Sequence, residues 1–259
     1  MARHAGRARA APVDVGGTLW PDRWPSPPDE LAQRRDRLRM AFPGLSPEDA
    51  IAVLTALERA GSGLDAQVAQ DLGAYAGGTL RRFGLGDGAG EIAAVLRAMC
   101  VPAVLRIRLF PGARELLECI ENLGLKCVIC SNAVWRDAAA YWRDFEALGV
   151  ASLIDAVVSS VDAGVRKPHP GMFDKAAAAA GVPLDACVVI GNSEVRDIRP
   201  ARSLGIRSLR VAIEEPPSAV SAARSRNQDP LRGGRGVAGM VRTRLRLLRP
   251  GHARGINTS

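Results

Sequence analysis

The stretch "VDVGGTLW", residues 13–20, decides how the rest of the chain is read. Val13 and Val15 flank a carboxylate, Asp14. Two glycines, Thr18 and the apolar pair Leu19-Trp20 follow. The pattern is a strand that delivers an acid into a tight turn, with glycine supplying backbone freedom at the bend. Position 16, two residues past the acid, is Gly rather than a second carboxylate.

Outward from this stretch, residues 101–211 alternate between strand and helix. "FPGARELLECIENLG" opens with Pro111 and stops at Gly124, and Leu116, Leu117, Ile120 and Leu123 recur at helical spacing. Strands are expected at 126–130, 155–160, 186–191 and 206–212. Helices are expected at 134–148, 169–182 and 197–204. Short joints between them imply a parallel sheet covered on both faces. Residues 20–108 break the rhythm with helices expected at 28–41, 47–60, 64–83 and 89–100. Ser46-Pro47-Glu48-Asp49 has the cap, the proline and the first-turn acids of a helix start. A long helical insert after the first strand sits where ligands bind in open α/β sheets. The expected division is a basic extension at 1–11, a core of 12–19 and 109–214, a helical cap at 20–108 and an Arg-rich, disordered tail at 215–259.

The chain has 259 residues, 47% of them hydrophobic, enough for a sizeable core, and no apolar run approaches the length of a membrane span. "MARHAGRARAAP" lacks the apolar segment of a secretory signal, so a cytoplasmic location is expected. The formal charge of +8 is concentrated at the ends; residues 11–214 carry 23 basic against 25 acidic side chains. Three lysines stand against 32 arginines, a bias that follows from GC-rich coding as readily as from nucleic-acid binding. "VAGMVRTRLRLLR" (237–249) reads as a solvated basic tail or as an amphipathic helix for a membrane surface or nucleic acid. Five cysteines argue against a disulfide framework. Cys127 and Cys130 form a C-x-x-C inside an apolar strand, where side chains three apart face opposite ways and pack in the core.

Four short stretches fall at the C-terminal ends of expected strands: Asp14, Ser131-Asn132, Lys167 in "GVRKPHPGMF", and Asn192 with Asp197 in "VVIGNSEVRDI". In a parallel sheet these ends share one edge, and an acid, a hydroxyl, a lysine and a second acid there suit an anion and a divalent cation. With these four motifs in order over residues 12–212, the chain resembles the haloacid dehalogenase superfamily, in the subgroup with a helical cap after the first strand. The fold expected is α/β, a Rossmann-like parallel sheet with helices on both faces plus an α-helical cap.

The resemblance implies roles for these residues. Asp14 would be the nucleophile of a phosphate-monoester hydrolase, forming an aspartyl intermediate that water releases. Gly17 and Thr18 would shape the turn around the phosphate. Ser131 and Asn132 would hold its oxygens, and Lys167 would offset charge between nucleophile and substrate. Mg²⁺ would take Asp14, the backbone carbonyl of Gly16, Asn192 and Asp197 as ligands, with water completing the octahedron. The substrate would be a small anionic metabolite.

Two positions depart from the family pattern. Gly16 replaces the acid that would protonate the leaving oxygen, and Asn192 replaces an acidic metal ligand. Family phosphatases with Gly at that place do exist. The alternatives are a 2-haloacid dehalogenase, which lacks the second acid and needs no metal, and a weakened binding or regulatory protein. A phosphonate-cleaving branch needs a cap lysine, and residues 20–108 contain none. "WPDRW" (20–24) would line the entrance or join the core. "RRDRLR" (34–39) would meet an anionic group or form a solvated helix face. His169 reads as a helix-start residue, with His4 and His252 in the ends.

Overall fold

The computed structural model describes residues 7–21, 28–62, 72–100 and 108–211. The tail at 215–259, residues 1–6 and Trp24 of "WPDRW" lie outside the described residues. Five strands form one sheet in the order β3-β2-β1-β4-β5. They are β1 (Ala10–Val13), β2 (Lys126–Ser131), β3 (Ala156–Ser159), β4 (Val188–Gly191) and β5 (Arg207–Arg210). All pairings are parallel. The chain runs from β1 outward to β3, then crosses back to build β4 and β5 on the other side. The strand order therefore reverses at β1, and the crevice past its C-terminal end is where ligands bind in such sheets.

The first strand starts earlier than the sequence division at residue 12 implied. Ala10 and Ala11 belong to β1 and are fully buried, so the basic extension does not reach residue 11. Ala and Pro are poor strand formers, and a strand paired on both sides shows no polar alternation, which is why its start is faint in the sequence. Pro12 has no N–H to give a neighbour. The β1–β4 pairing is correspondingly interrupted, with an isolated bridge between Ala10 and Cys187 and a pair at Val13 and Ile190. It closes with the Asp14 N–H donating to Ile190 O at 2.8 Å, which places the acid at the strand end.

Helices cover both faces. On one lie α5 (Ala113–Asn122) and α6 (Ala138–Ala147), packed through Leu117, Ile120 and Phe145 on Val13, Cys127, Ile129 and Ile190. Between β3 and the other face stands a short α7 (Ser160–Ala163). On that face α8 (Pro170–Ala179) sets Phe173 against Ala10 and Val189, and Met172 against Val128 and Cys130. A last α9 (Arg199–Ser203) precedes β5. Alternate residues of β2 thus feed opposite layers, as a period of two requires. His169 caps α8, its Nδ1 accepting from Gly171 N at 3.1 Å, as its position before Pro170 suggested.

The insert is helical: α1 (Pro28–Ala41), α2 (Pro47–Ser62), α3 (Leu72–Arg82) and α4 (Ala89–Met99). Ser46 caps α2, accepting from Asp49 N at 3.0 Å. Leu38, Leu54, Leu57, Leu80, Val95 and Met99 give this unit a core of its own, and Trp135, from the segment after β2, is buried in it. Leu19 O accepts from Phe110 N at 2.8 Å, so the chain leaves and rejoins the sheet unit at one stem.

Cys127 and Cys130 lie in separate core clusters, and burial pushes both thiols up to about 12. A thiolate is the reactive form. Iodoacetamide at neutral pH is therefore expected to leave both unlabelled in the native protein and to label both in urea, read by mass spectrometry.

Candidate active site

Strand ends from β1, β2 and β4, together with the loop before α8, converge at the point where the sheet order reverses. The turn after β1 is tight: Val15 O accepts the N–H groups of Thr18, Leu19 and Trp20, and Gly17 N donates back to Trp20 O at 2.7 Å. Gly16 pairs with Trp20 across this turn. Gly17 has φ +73°, and a Cβ there would lie 2.1 Å from Asn192 Nδ2. The first and fourth motifs are therefore pressed together in a way only glycine permits.

Asp14 is held at both oxygens. Lys167 Nζ donates to Oδ1 at 2.7 Å, and Thr18 Oγ1 donates to Oδ2 at 3.1 Å. The same ammonium donates to Asp197 Oδ1 at 2.7 Å, while Asp197 Oδ2 accepts from Ser193 N at 3.0 Å. Asp197 reaches this position through a π-helical turn over Glu194–Ile198, where the sequence pattern suggested that an ordinary helix begins at 197. The turn folds the side chain back over β4, so closely that a Cβ on Gly191 would lie 2.5 Å from Asp197 Oδ2.

These charges are buried: Lys167 is 2% exposed, Asp197 1% and Asp14 8%. Burial pushes the Asp14 carboxyl above the ordinary range; Lys167 pulls it down and Asp197 adds to the rise. For Lys167, burial works against the ammonium, but the two carboxylates outweigh it and hold the group above the usual lysine range. Both effects have one source: a cation surrounded by two anions in a place with little water.

The second motif is held from behind. Ser131 Oγ is 2.8 Å from Tyr141 OH, and Tyr141 stacks on Trp20 and Phe145. Arg136 lies over the Tyr141 ring at 5.1 Å and pairs with the fully buried Asp144. Asn132 grips the backbone of the lysine loop, accepting from Lys167 N at 2.7 Å and donating to Lys167 O at 2.8 Å. Its side chain thus sets where the lysine stands. Trp20 is core, not entrance. Of "RRDRLR", Arg34 pairs with Glu30 and Glu58 inside the helical unit, and Arg39 donates to Leu45 O. Tyr141, Arg136 and Asp144 did not stand out in the sequence. Their one signal was that Tyr141, Asp144 and Phe145 share a face of α6 at helical spacing.

The fold, the order of the four motifs and their meeting at one sheet edge define a class, and comparison with known proteins agrees. The model of the haloacid dehalogenase-like hydrolases matches residues 9–205. The chain belongs to this family. A haloacid dehalogenase-like hydrolase domain-containing protein 3 from Xenopus laevis is 37% identical over 113 residues, covering 42% of this chain and 43% of that protein. A glyceraldehyde 3-phosphate phosphatase from Pyrococcus abyssi is 28% identical over 103 residues, covering 40% and 42%. The chain therefore spans less than half the length of these curated relatives. The solved L-2-haloacid dehalogenase of Xanthobacter autotrophicus matches at TM-score 0.46 and 21% identity, over 84% of this chain and 81% of that one. Among the described residues no helix is long and apolar enough to cross a membrane.

Removing one partner of a buried ion cluster leaves the others uncompensated, at about 3–5 kcal/mol. Lys167→Met is expected to cost about that much stability, measured by urea unfolding, because Asp14 and Asp197 would then face each other without a cation.

Proposed function

We propose that the protein hydrolyses the phosphate monoester of a small anionic metabolite through an aspartyl-phosphate on Asp14. One observation carries the reading: Asp14 sits buried at the reversal point of the sheet with both oxygens held, by Lys167 and by Thr18. A carboxylate so fixed is aimed, and the adjacent ammonium offsets its charge as it approaches an anionic phosphorus. Attack forms the Asp14–phosphorus bond and breaks the ester P–O bond. Water then hydrolyses the aspartyl-phosphate and regenerates the carboxylate. Ser131, supported by Tyr141, binds phosphate oxygens in this reading, and Gly17 with Thr18 shapes the turn around the phosphate. Position 16 carries no carboxyl, so solvent is left to protonate the leaving oxygen. The phosphatase name of the Pyrococcus abyssi relative supports the substrate class.

The residues fit Mg²⁺. The donors are hard oxygens: the carboxylates of Asp14 and Asp197, the Gly16 carbonyl and the Asn192 amide. Asn192 Oδ1 is buried and has no hydrogen-bond partner, which is the condition of an acceptor available to a cation. Among the described residues no three acidic, histidine or cysteine side chains form a metal cluster, so the amide and the carbonyl must complete the set. Two carboxylates against one ammonium leave one net negative charge, and a phosphate dianion adds two more. Bound there, Mg²⁺ would offset that charge and polarise the phosphoryl oxygens. The helical unit, tied to the sheet at Leu19 and Phe110, serves in this reading as a cap that closes over the substrate and selects it.

A second reading has its own support. Lys167 already spans both carboxylates, and a monoanionic 2-haloacid would bring less charge than a phosphate ester, so carbon–halogen cleavage by Asp14 would need no metal.

An aryl phosphate and 2-chloropropionate separate the two. The phosphatase reading expects aryl phosphate turnover that EDTA abolishes, that Mg²⁺ restores and that Asp14→Asn reduces to background. Chloride release from 2-chloropropionate in EDTA would instead favour the second reading. Equal, negligible rates of wild type and Asp14→Asn on both substrates would sink both for these generic probes. Gly16→Asp is expected to raise phosphatase kcat, by up to about 10²-fold, the lower end of general acid–base contributions. A fall in kcat would show a site adapted to the empty position.

A further inference from the structure

A cavity of about 320 Å³ lies at the seam between the helical unit and the sheet unit. That is within the range of small-molecule pockets, about 300–1,000 Å³. Arg37 of α1, Arg97 of α4 and Arg143 of α6 all line it. Three other arginines of the helical unit find acids: Arg34 pairs with Glu30 and Glu58, Arg35 with Asp36 and Arg81 with Asp87. The guanidinium groups of Arg37, Arg97 and Arg143 form no ion pair among the described residues.

Two acids share the cavity wall, Asp137 and Asp162. Both are committed to the start of α6. Asp137 Oδ1 accepts from Ala140 N at 2.8 Å, and Asp162 Oδ2 accepts from Ala138 N at 2.7 Å. Three cations against two anions leave the lining positive. Trp135 adds a flat apolar wall, and its indole Nε1 is a buried donor with no hydrogen-bond partner. Asp14, Thr18, Ser131, Lys167, Asn192 and Asp197 take no part in this lining.

We infer that this seam is a second binding site, separate from the residues gathered around Asp14, for a small molecule that carries two or more anionic groups on a short apolar body. Guanidinium groups from three helices can each take a carboxylate or phosphate through paired N–H donors. The walls come from both units, so the occupant ties the helical unit to the sheet. Binding to the folded form alone then raises thermal stability with ligand concentration. The motif "RRDRLR" finds its anionic partner here through Arg37, while Arg34 and Arg39 serve the helical unit itself.

Pyrophosphate and citrate are the probes, titrated separately into the full chain by calorimetry and in thermal unfolding. At least one is expected to bind saturably and to raise the melting temperature, in Asp14→Asn as in wild type. Which one binds sorts phosphate from carboxylate ligands. The triple variant Arg37→Gln/Arg97→Gln/Arg143→Gln, its fold checked by circular dichroism, is expected to weaken binding about tenfold or more. If the triple variant does not fold, each single variant is expected to weaken binding on its own. Several results would overturn the inference: no saturable binding of either probe, affinity unchanged by the arginine substitutions, or a stability gain matched by sodium chloride of equal ionic strength. Affinity lost in Ser131→Ala but kept in the arginine variants would place the probe beside Asp14 and would equally overturn it. Since hydrolysis is read in a separate assay, failure here leaves the proposed reaction untouched.

Discussion

The Lys167 ammonium, buried and 2.7 Å from both Asp14 and Asp197, is the interaction on which the site depends. Without it two buried carboxylates would face each other with no cation between them, and without them the ammonium would be a buried charge with no partner. The three residues come from the ends of β1 and β4 and the loop before α8, so their balance requires the sheet to be assembled. Much of the surrounding structure holds this triad in position. Asn132 clamps the Lys167 backbone, Thr18 fixes the second Asp14 oxygen, and the π-helical turn folds Asp197 back over Gly191.

Two cores support this arrangement. The sheet is sealed on both faces, and the helical unit has an apolar centre of its own. They are joined by a stem at Leu19 and Phe110 and by Trp135, which leaves the sheet unit to be buried among the helices. The stem continues directly from the turn that carries Asp14. A movement of the helical unit would therefore act on the turn that carries Asp14, and such coupling between a covering unit and a site is common where closure excludes water.

Much of this was legible in the chain. Helices with a proline at the start and a glycine after the end, such as α8 with Pro170 and Gly181, fell close to their expected places, because those residues act locally. The strand-end motifs were readable for the same reason. β1 was less visible, since Ala10, Ala11 and Pro12 carry no strand signal and owe their conformation to neighbours on both sides. The role of Asn132 was also hidden. Its type suits a phosphate contact, yet its amide is spent on a backbone 35 residues away.

The sequence by itself determined the class of fold, the four motifs and the missing carboxyl at position 16, since periodicity, turn residues and residue type are properties of short stretches. Only the tertiary structure decided that Lys167 stands between two acids, that Asn192 lies against Gly17, and that Tyr141 supports Ser131. It also brought three arginines from three helices to one seam. Each of these depends on groups distant in the chain meeting where water is scarce, and there charge and hydrogen bonding are strong enough to fix a geometry that no local pattern encodes.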